Sequence, residues 1–262
     1  MQLDEIKKHW ETAGKAIGLD DPMPVTSRDP FMGQLERRYI LQHLPSNGRV
    51  LEIGCGDALH APLYAARSHE YHGLDVTASL LALAETRLSG SDLNNWTLHC
   101  ASVLDIDKRF EPGSFDCIIS QRCIINLPTW SDQKEALNKI CSLLRPGGKF
   151  LLSEGFTGEL ANLNQLRNEM GLPPINVVEY NRFMDRGEFE TEVGCQFSVE
   201  AFCHYGLYLY LSRVFHPLAV FPDQPQHLSP MNEAAMKLSM QGEVDQYSSL
   251  SYNLFYSLKK KT

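Results

Sequence analysis

Glu52, Gly54, Gly56 and Asp57 sit close together in the stretch VLEIGCGDALH, residues 50–60. An apolar run ends there in two glycines separated by Cys55. Glycine takes a positive φ at little cost and has no Cβ, so backbone N–H groups at such a turn can approach a ligand directly. A helix expected over residues 58–68 would direct its positive end at the same spot. In a dinucleotide fingerprint a third glycine lets that helix pack closely and leaves room for a pyrophosphate. Here Leu59 stands at that place, and Asp57 sets a negative charge where phosphates would lie. The loop therefore suits a ligand that lacks phosphate and carries an amino group. Glu52, just ahead of Gly54, either orients the loop or accepts a hydrogen bond from an ammonium.

S-adenosylmethionine has these features: an adenosine without phosphate, an amino-acid tail and a sulfonium cation. A pair of glycines is also compatible with an ordinary tight turn, so a second residue is needed. Asp75 ends the stretch YHGLDV, about 20 positions beyond Gly54, where a dinucleotide site places the acid that binds the ribose hydroxyls. One carboxylate can accept from both hydroxyls. The alternative role for Asp75 is to cap the helix that begins in TASLLALAE.

Positioning these residues calls for an α/β fold. Short apolar runs at residues 49–55, 70–76, 96–102, 115–120 and 147–154 read as strands, with helices between them. Residues 29–44 form an amphipathic helix with Asp29 as its N-cap, Pro30 in the first turn and Phe31, Leu35, Ile40, Leu41 and Leu44 buried. Leu80, Leu81, Ala84 and Leu88 share one side of the helix at 79–89, and a further helix covers 130–144. Strand, helix and strand at such short intervals imply right-handed crossovers and a doubly wound, mostly parallel sheet covered on both faces. The rhythm breaks at 155–195, a polar segment containing Pro173-Pro174 and a helix at 164–171 that stops at Gly171. The stretch SYNLFYSLKK reads as a last strand, and Lys259, Lys260 and Lys261 as a solvated tail.

Taken in order, VLEIGCG, GLDVT, FDCIIS and LLRPGGKFLLSE resemble the class I S-adenosylmethionine-dependent methyltransferases over residues 45–155. The Pro-Gly-Gly turn before the fifth strand is the most telling piece, because nicotinamide dehydrogenases do not usually share it. The resemblance implies a seven-stranded sheet whose last strand, here SYNLFYSLKK, is antiparallel. It also implies an acid after the third strand for the adenine amino group; Ser102 stands there instead, with Val103 offering its backbone N–H and Asp105 close by. Segments like the Ser-Arg-Asp-Pro of VTSRDPFMGQLERR precede the core in bacterial small-molecule methyltransferases, some associated with surface-sugar gene clusters. The expected cofactor contacts are Glu52, Gly54, Cys55, Gly56, Asp75, Val76, Ser102, Val103, Ser120 and Gln121. The product would be S-adenosylhomocysteine.

Methyl transfer needs alignment of the nucleophile and exclusion of water more than it needs acid–base groups. A base matters only for a protonated nucleophile. The acceptor should lie over the ends of the fourth and fifth strands, at SQRCIINL and SEGF. Arg122 there either grips an anionic substrate or pairs with an acid, and Asn126 either orients the acceptor or caps the turn before Pro128. Glu154 serves either as a base or as a bond to a neighbouring loop. These three are the catalytic candidates. His60 reads as structural, and Tyr180 and Asn181 as contacts of a cap. The acceptor is expected to be a small polar metabolite, a sugar or sugar-linked group among the candidates, methylated on O or N. A nicotinamide oxidoreductase and a non-catalytic adenosyl-binding protein are the alternatives.

The chain has 262 residues, 43% of them hydrophobic and 21% charged, with a formal net charge of −8. That charge argues against a nucleic-acid partner held on a broad basic face. No run approaches the ~20 apolar residues of a membrane span. The start MQLDEIKKHW has no apolar core of a signal peptide. Seven scattered cysteines, none in a C-x-x-C pair, read as small buried thiols in a reducing, cytoplasmic protein. His69 and His72 lack partners at ligand spacing and are expected on the surface, with no metal site. One domain is expected over 1–262: a helical lid at 1–44, a cofactor-binding core at 45–154, a substrate cap at 155–195 and the rest of the core at 196–262. It would act as a monomer or homodimer.

Overall fold

The structure, a computed structural model, describes residues 1–16, 26, 28–242 and 244–262. Helices α1 (Leu3–Ala16) and α2 (Pro30–His43) precede β1 (Arg49–Ile53), α3 (Ala61–Ala65), β2 (Glu70–Asp75) and α4 (Ala78–Ser89). Then come β3 (Trp96–Cys100), β4 (Phe115–Gln121), α5 (Trp130–Leu143) and β5 (Leu144–Gly155). The remainder is α6 (Thr157–Glu169), α7 (Arg186–Gly194), β6 (Phe197–His204), α8 (Gly206–Tyr210), α9 (His216–Val220), α10 (Pro230–Ser239) and β7 (Asn253–Lys260).

The seven strands form one sheet in the order β3-β2-β1-β4-β5-β7-β6. Strands β1 to β5 pair in parallel, and β7 runs antiparallel to both β5 and β6. Successive side chains of a strand face opposite sides, and the two cores follow that alternation. Leu51, Ile118, Phe150 and Leu152 pack on one face, whereas Val50, Ile119 and Leu151 pack on the other. Strand β7 is buried from Asn253 to Leu258, as expected of a strand with neighbours on both edges and helices on both faces.

Local chemistry explains most helix starts. Asp29 accepts a hydrogen bond from the Met32 amide at 3.1 Å, with Pro30 in the first turn. Leu35, Ile40 and Leu44 of the expected buried set are buried, while Phe31 and Leu41 are half-buried. All four predicted residues of α4 are buried. Thr129 and Asp132 form a reciprocal capping box at the start of α5.

Several expectations need correction. The helix after the glycine loop begins only at Ala61 and runs five residues, because Ala58 sits at φ 56° and prolongs the turn. Helix α6 starts at Thr157, well ahead of the expected 164. Helix α7 lies in the 155–195 segment and places Phe189 and Val193 in the sheet core. His72 is buried rather than on the surface, its Nδ1 at 2.9 Å from Nε2 of His99. Lys259 and Lys260 belong to β7, and the Lys260 ammonium donates to the Leu144 carbonyl at 2.7 Å. No helix among the described residues is long and apolar enough to cross a membrane. Of the expected lid, residues 17–25 and 27, including Val25 and Ser27 of VTSRDPFMGQLERR, lie outside the described residues.

Candidate active site

A cavity of about 450 Å³ opens at the carboxyl ends of β1 to β4, the end at which parallel sheets bind ligands. Its floor begins at the glycine loop. Gly54 and Gly56 adopt φ of 66° and 55°. A Cβ on Gly54 would lie 2.6 Å from Sγ of Cys123, and one on Gly56 would lie 2.8 Å from Cγ2 of Thr26. Both positions thus need glycine for φ and for space.

Asp75 ties this loop to the next crossover. Its Oδ2 accepts from the Gly56 amide at 3.0 Å and its Oδ1 from the Thr77 amide at 2.8 Å. Burial raises its pKa. It borders the cavity together with Val76, Ser102 and Val103. Asp75 thus ties both turns together without capping α4, whose N-cap is Thr77, and each of its oxygens keeps a second lone pair. The Ser102 hydroxyl accepts from the Leu104 amide at 3.1 Å and so caps the short turn of residues 103–108. Asp105 borders the same cavity.

Glu52 does not line the large cavity. It is buried, accepts a hydrogen bond from the Tyr71 hydroxyl, and burial pushes its pKa up to about 7. With Cys55, Asp57 and His60 it borders a smaller recess that shares Gly54, Thr26, Gln121 and Arg122 with the large one. Asp57 Oδ2 pairs with Arg87 at 2.9 Å, while the buried Oδ1 has no hydrogen-bond partner. Burial and the nearby Arg37, Arg122 and Arg87 push His60 down to about 3, so its imidazole is neutral.

Two buried carboxylates hold the loop after β4. Glu154 Oε1 accepts from the Ser120 hydroxyl at 2.6 Å and from the amides of Cys123 and Ile124 at 3.0 Å each. Its Oε2 accepts from the Ile125 amide at 3.3 Å, and burial raises its pKa to about 7. Glu154 is fully buried and borders neither cavity. The base role expected of it lacks an open face, and the alternative, a bond to the neighbouring loop, is what the geometry provides. Ser120 is likewise buried beneath the loop rather than lining the cavity.

Sequence reading missed the second carboxylate, Glu36. Fully buried on α2, it accepts from Gln121 Nε2 at 2.8 Å, from Ser153 Oγ at 3.1 Å and from Asn253 Nδ2 at 3.3 Å. Arg122 Nη2 lies 3.3 Å from its Oε2. Arg122 thus borders the cavity while its head is tied to an acid, the second of its two expected roles. The available signal was a charge on the apolar stripe of α2, one helical turn from both Met32 and Ile40.

Helix α1 roofs the cavity through Leu3, Ile6, Lys7 and Trp10, residues not singled out individually in the sequence. Trp10 Nε1 donates to Asn126 Oδ1 at 2.8 Å, and Asn126 Nδ2 donates to Asn181 Oδ1 at 2.8 Å. The Tyr180 ring stacks on His9 at 4.4 Å. Asn126, Tyr180 and Asn181 are thereby brought together with α1 at the cavity mouth.

The family described as a methyltransferase domain matches residues 50–148, which contain the glycine loop, Asp75 and the loop after β4. Residues 50–148 are thus a methyltransferase domain, and the chain is a methyltransferase. The methyltransferase is similar to a ubiquinone biosynthesis O-methyltransferase of Coxiella burnetii, 25% identical over 190 residues, or 71% of this chain and 74% of that relative. Its fold is that of a phosphoethanolamine N-methyltransferase of Haemonchus contortus, solved with phosphoethanolamine and S-adenosylhomocysteine. The TM-score is 0.64 at 13% identity, covering 99% of this chain and 49% of that one. An N-methyltransferase of Bradyrhizobium japonicum in complex with S-adenosylhomocysteine gives a TM-score of 0.57 at 13% identity, covering 98% of each chain.

Proposed function

We propose that the enzyme methylates a hydroxyl or amino group of a small polar metabolite, with the cofactor bound in the large cavity. S-adenosylmethionine supplies a methyl group on a sulfonium and leaves as S-adenosylhomocysteine. The residues present suit it. Asp75 offers lone pairs to ribose hydroxyls, Val103 offers apolar contact to a base, and Gly54 gives room at the strand end. Asp57 Oδ1, buried without a hydrogen-bond partner, suits an ammonium, with Glu52 beside it. The absence of a third glycine and the acids near the loop both disfavour a pyrophosphate. On this reading, Gln121, Arg122 and Asn126 face the acceptor, Glu36 and Glu154 hold them in place, and α1 with residues 170–183 excludes water.

The observation that carries the reading is the pair of positive-φ glycines bound through Asp75 at the open end of the sheet. Relatives named for O- and N-methylation support both acceptor atoms without choosing between them. Calorimetry with S-adenosylhomocysteine and NADH tests the cofactor: tight binding of the former alone is expected, and the reverse would sink the proposal. Turnover to S-adenosylhomocysteine across a panel of hydroxylated and aminated metabolites, sugars included, tests the acceptor class.

A further inference from the structure

A second cavity of about 280 Å³ lies away from the cofactor site and shares no lining residue with it. It is walled by α6, the loop at 171–175, the turn around Arg213 and the loop at 221–227. Arg167 on α6 points its guanidinium into this wall while only 7% exposed. Its Nε donates to the Pro173 carbonyl at 2.9 Å, and its Nη1 donates to the carbonyl of Arg213. Both partners are neutral. Among the described residues no carboxylate pairs with Arg167, and the neighbouring charge is a second guanidinium, Arg213. Arg213 itself is matched by Asp29, which also accepts from the Tyr208 hydroxyl at 2.7 Å. His227 lies beside them as a hydrogen-bonding ring, its Nδ1 at 3.9 Å from Asp29 Oδ2, with burial lowering its pKa. Asp223 borders the cavity too, but it is exposed and pairs with neither arginine.

Two guanidinium groups against one carboxylate leave a positive charge in a nearly buried position. A charge taken out of water is costly unless an opposite charge meets it. Among the described residues no protein group supplies one, and the cavity beside Arg167 is larger than a bare oxyanion needs. Apolar surface from Leu172, Ile175 and Phe221 lines the rest.

We propose that this cavity binds a small organic molecule through a carboxylate or phosphate group, held by Arg167 with Arg213 and His227 beside it. A guanidinium fork matches either oxyanion with paired, charge-assisted hydrogen bonds. Asp29 borders the recess beside the glycine loop and also caps α2, so it stands between this cavity and the cofactor site.

Melting of the full chain in inorganic phosphate and in acetate, against chloride at equal ionic strength, tests the proposal. A ligand that binds only the folded state raises the melting temperature with its concentration. The wild type should show that rise with phosphate, acetate or both, and the responding anion identifies the preferred group. Arg167→Met should weaken the response roughly tenfold or more, as expected when a charged hydrogen-bond partner is lost. Without anion this variant should melt no lower than the wild type, because it removes an uncompensated charge. Arg167→Lys keeps the charge without the fork and should retain a weaker response. Equal responses of wild type and both variants, or no response at all, would overturn the site. So would a large drop in melting temperature of Arg167→Met without anion, which would make Arg167 a bridge between loops. Binding of S-adenosylhomocysteine should be the same in all three proteins, so failure here leaves the cofactor reading untouched.

Discussion

The cofactor side and the acceptor side of this site are held together over different reaches of chain. Asp75 draws in the amides of Gly56 and Thr77, 19 and 2 residues away. Those contacts close within one strand–helix–strand crossover. Over the acceptor side, Trp10 reaches Asn126 across 116 residues, Asn126 reaches Asn181 across 55, and Gln121 reaches Glu36 across 85. The first set forms once neighbouring strands pair, whereas the second requires α1, α2, the loop after β4 and residues 180–181 to have docked together. Contacts of long reach and partial exposure open more readily than core strands. The acceptor side is accordingly the part suited to opening for substrate entry.

Four outcomes would break or sharpen that contrast. The largest concerns Gly54→Val. The side chain would meet Cys123 and would have to hold φ near 66°, which a β-branched residue resists. Calorimetry should then find no binding of S-adenosylhomocysteine, although the fold survives; normal binding would move the cofactor away from this loop.

Next comes pH. Glu52 is raised from its ordinary 4.5 to about 7 by burial. The folded protein therefore holds this proton more tightly than the unfolded chain. Its stabilising contribution is full below about 4.5 and is lost as pH rises through about 7. The loss amounts to at most about 3 kcal/mol. Urea unfolding of wild type and Glu52→Gln at pH 5 and pH 8 should show the variant gaining relative stability at the higher pH. A pH-independent difference would mean that Glu52 is already ionised at pH 5.

On the other side, Glu154→Gln should lower stability by about 1–3 kcal/mol, since an amide nitrogen cannot accept the backbone donors that a carboxylate oxygen does. The pH profile of turnover should keep its shape. Disappearance of a basic limb with stability intact would restore Glu154 as a base. The smallest effect is expected for Trp10→Phe, which removes one hydrogen bond to Asn126 worth about 1 kcal/mol. Hydrogen exchange in α1 and 180–181 should quicken while the glycine loop stays protected by S-adenosylhomocysteine. Equal quickening at both places would show that the two sides open as one.

The same difference of reach decides what could be read from the sequence. Gly54, Gly56 and Asp75 announce themselves through residue type and spacing, because their geometry is set by neighbours in the chain. The strands and α4 were equally legible from local apolar patterns. Glu36 was not, since only packing reveals that α2 turns this acid toward Gln121 and Arg122. Glu154 was recognised as important but left between base and loop bond, because a strand-end carboxylate looks alike whether it meets a ligand or three backbone amides. The late start of the glycine-loop helix escaped notice because the left-handed turn at Ala58 has no mark in residue type.

Strand β7 occupies the gap between β5 and β6, although it follows both in the chain. During synthesis β6 therefore emerges with no sheet neighbour available, and β5 with one edge bare. Both edges expose unpaired amides and carbonyls of the kind that recruit other chains. A chain interrupted before Asn253 would carry nearly all of the cofactor motif and still present two open edges. Messages cut short near their end would thus yield a product suited to aggregation or proteolysis rather than a partly active enzyme.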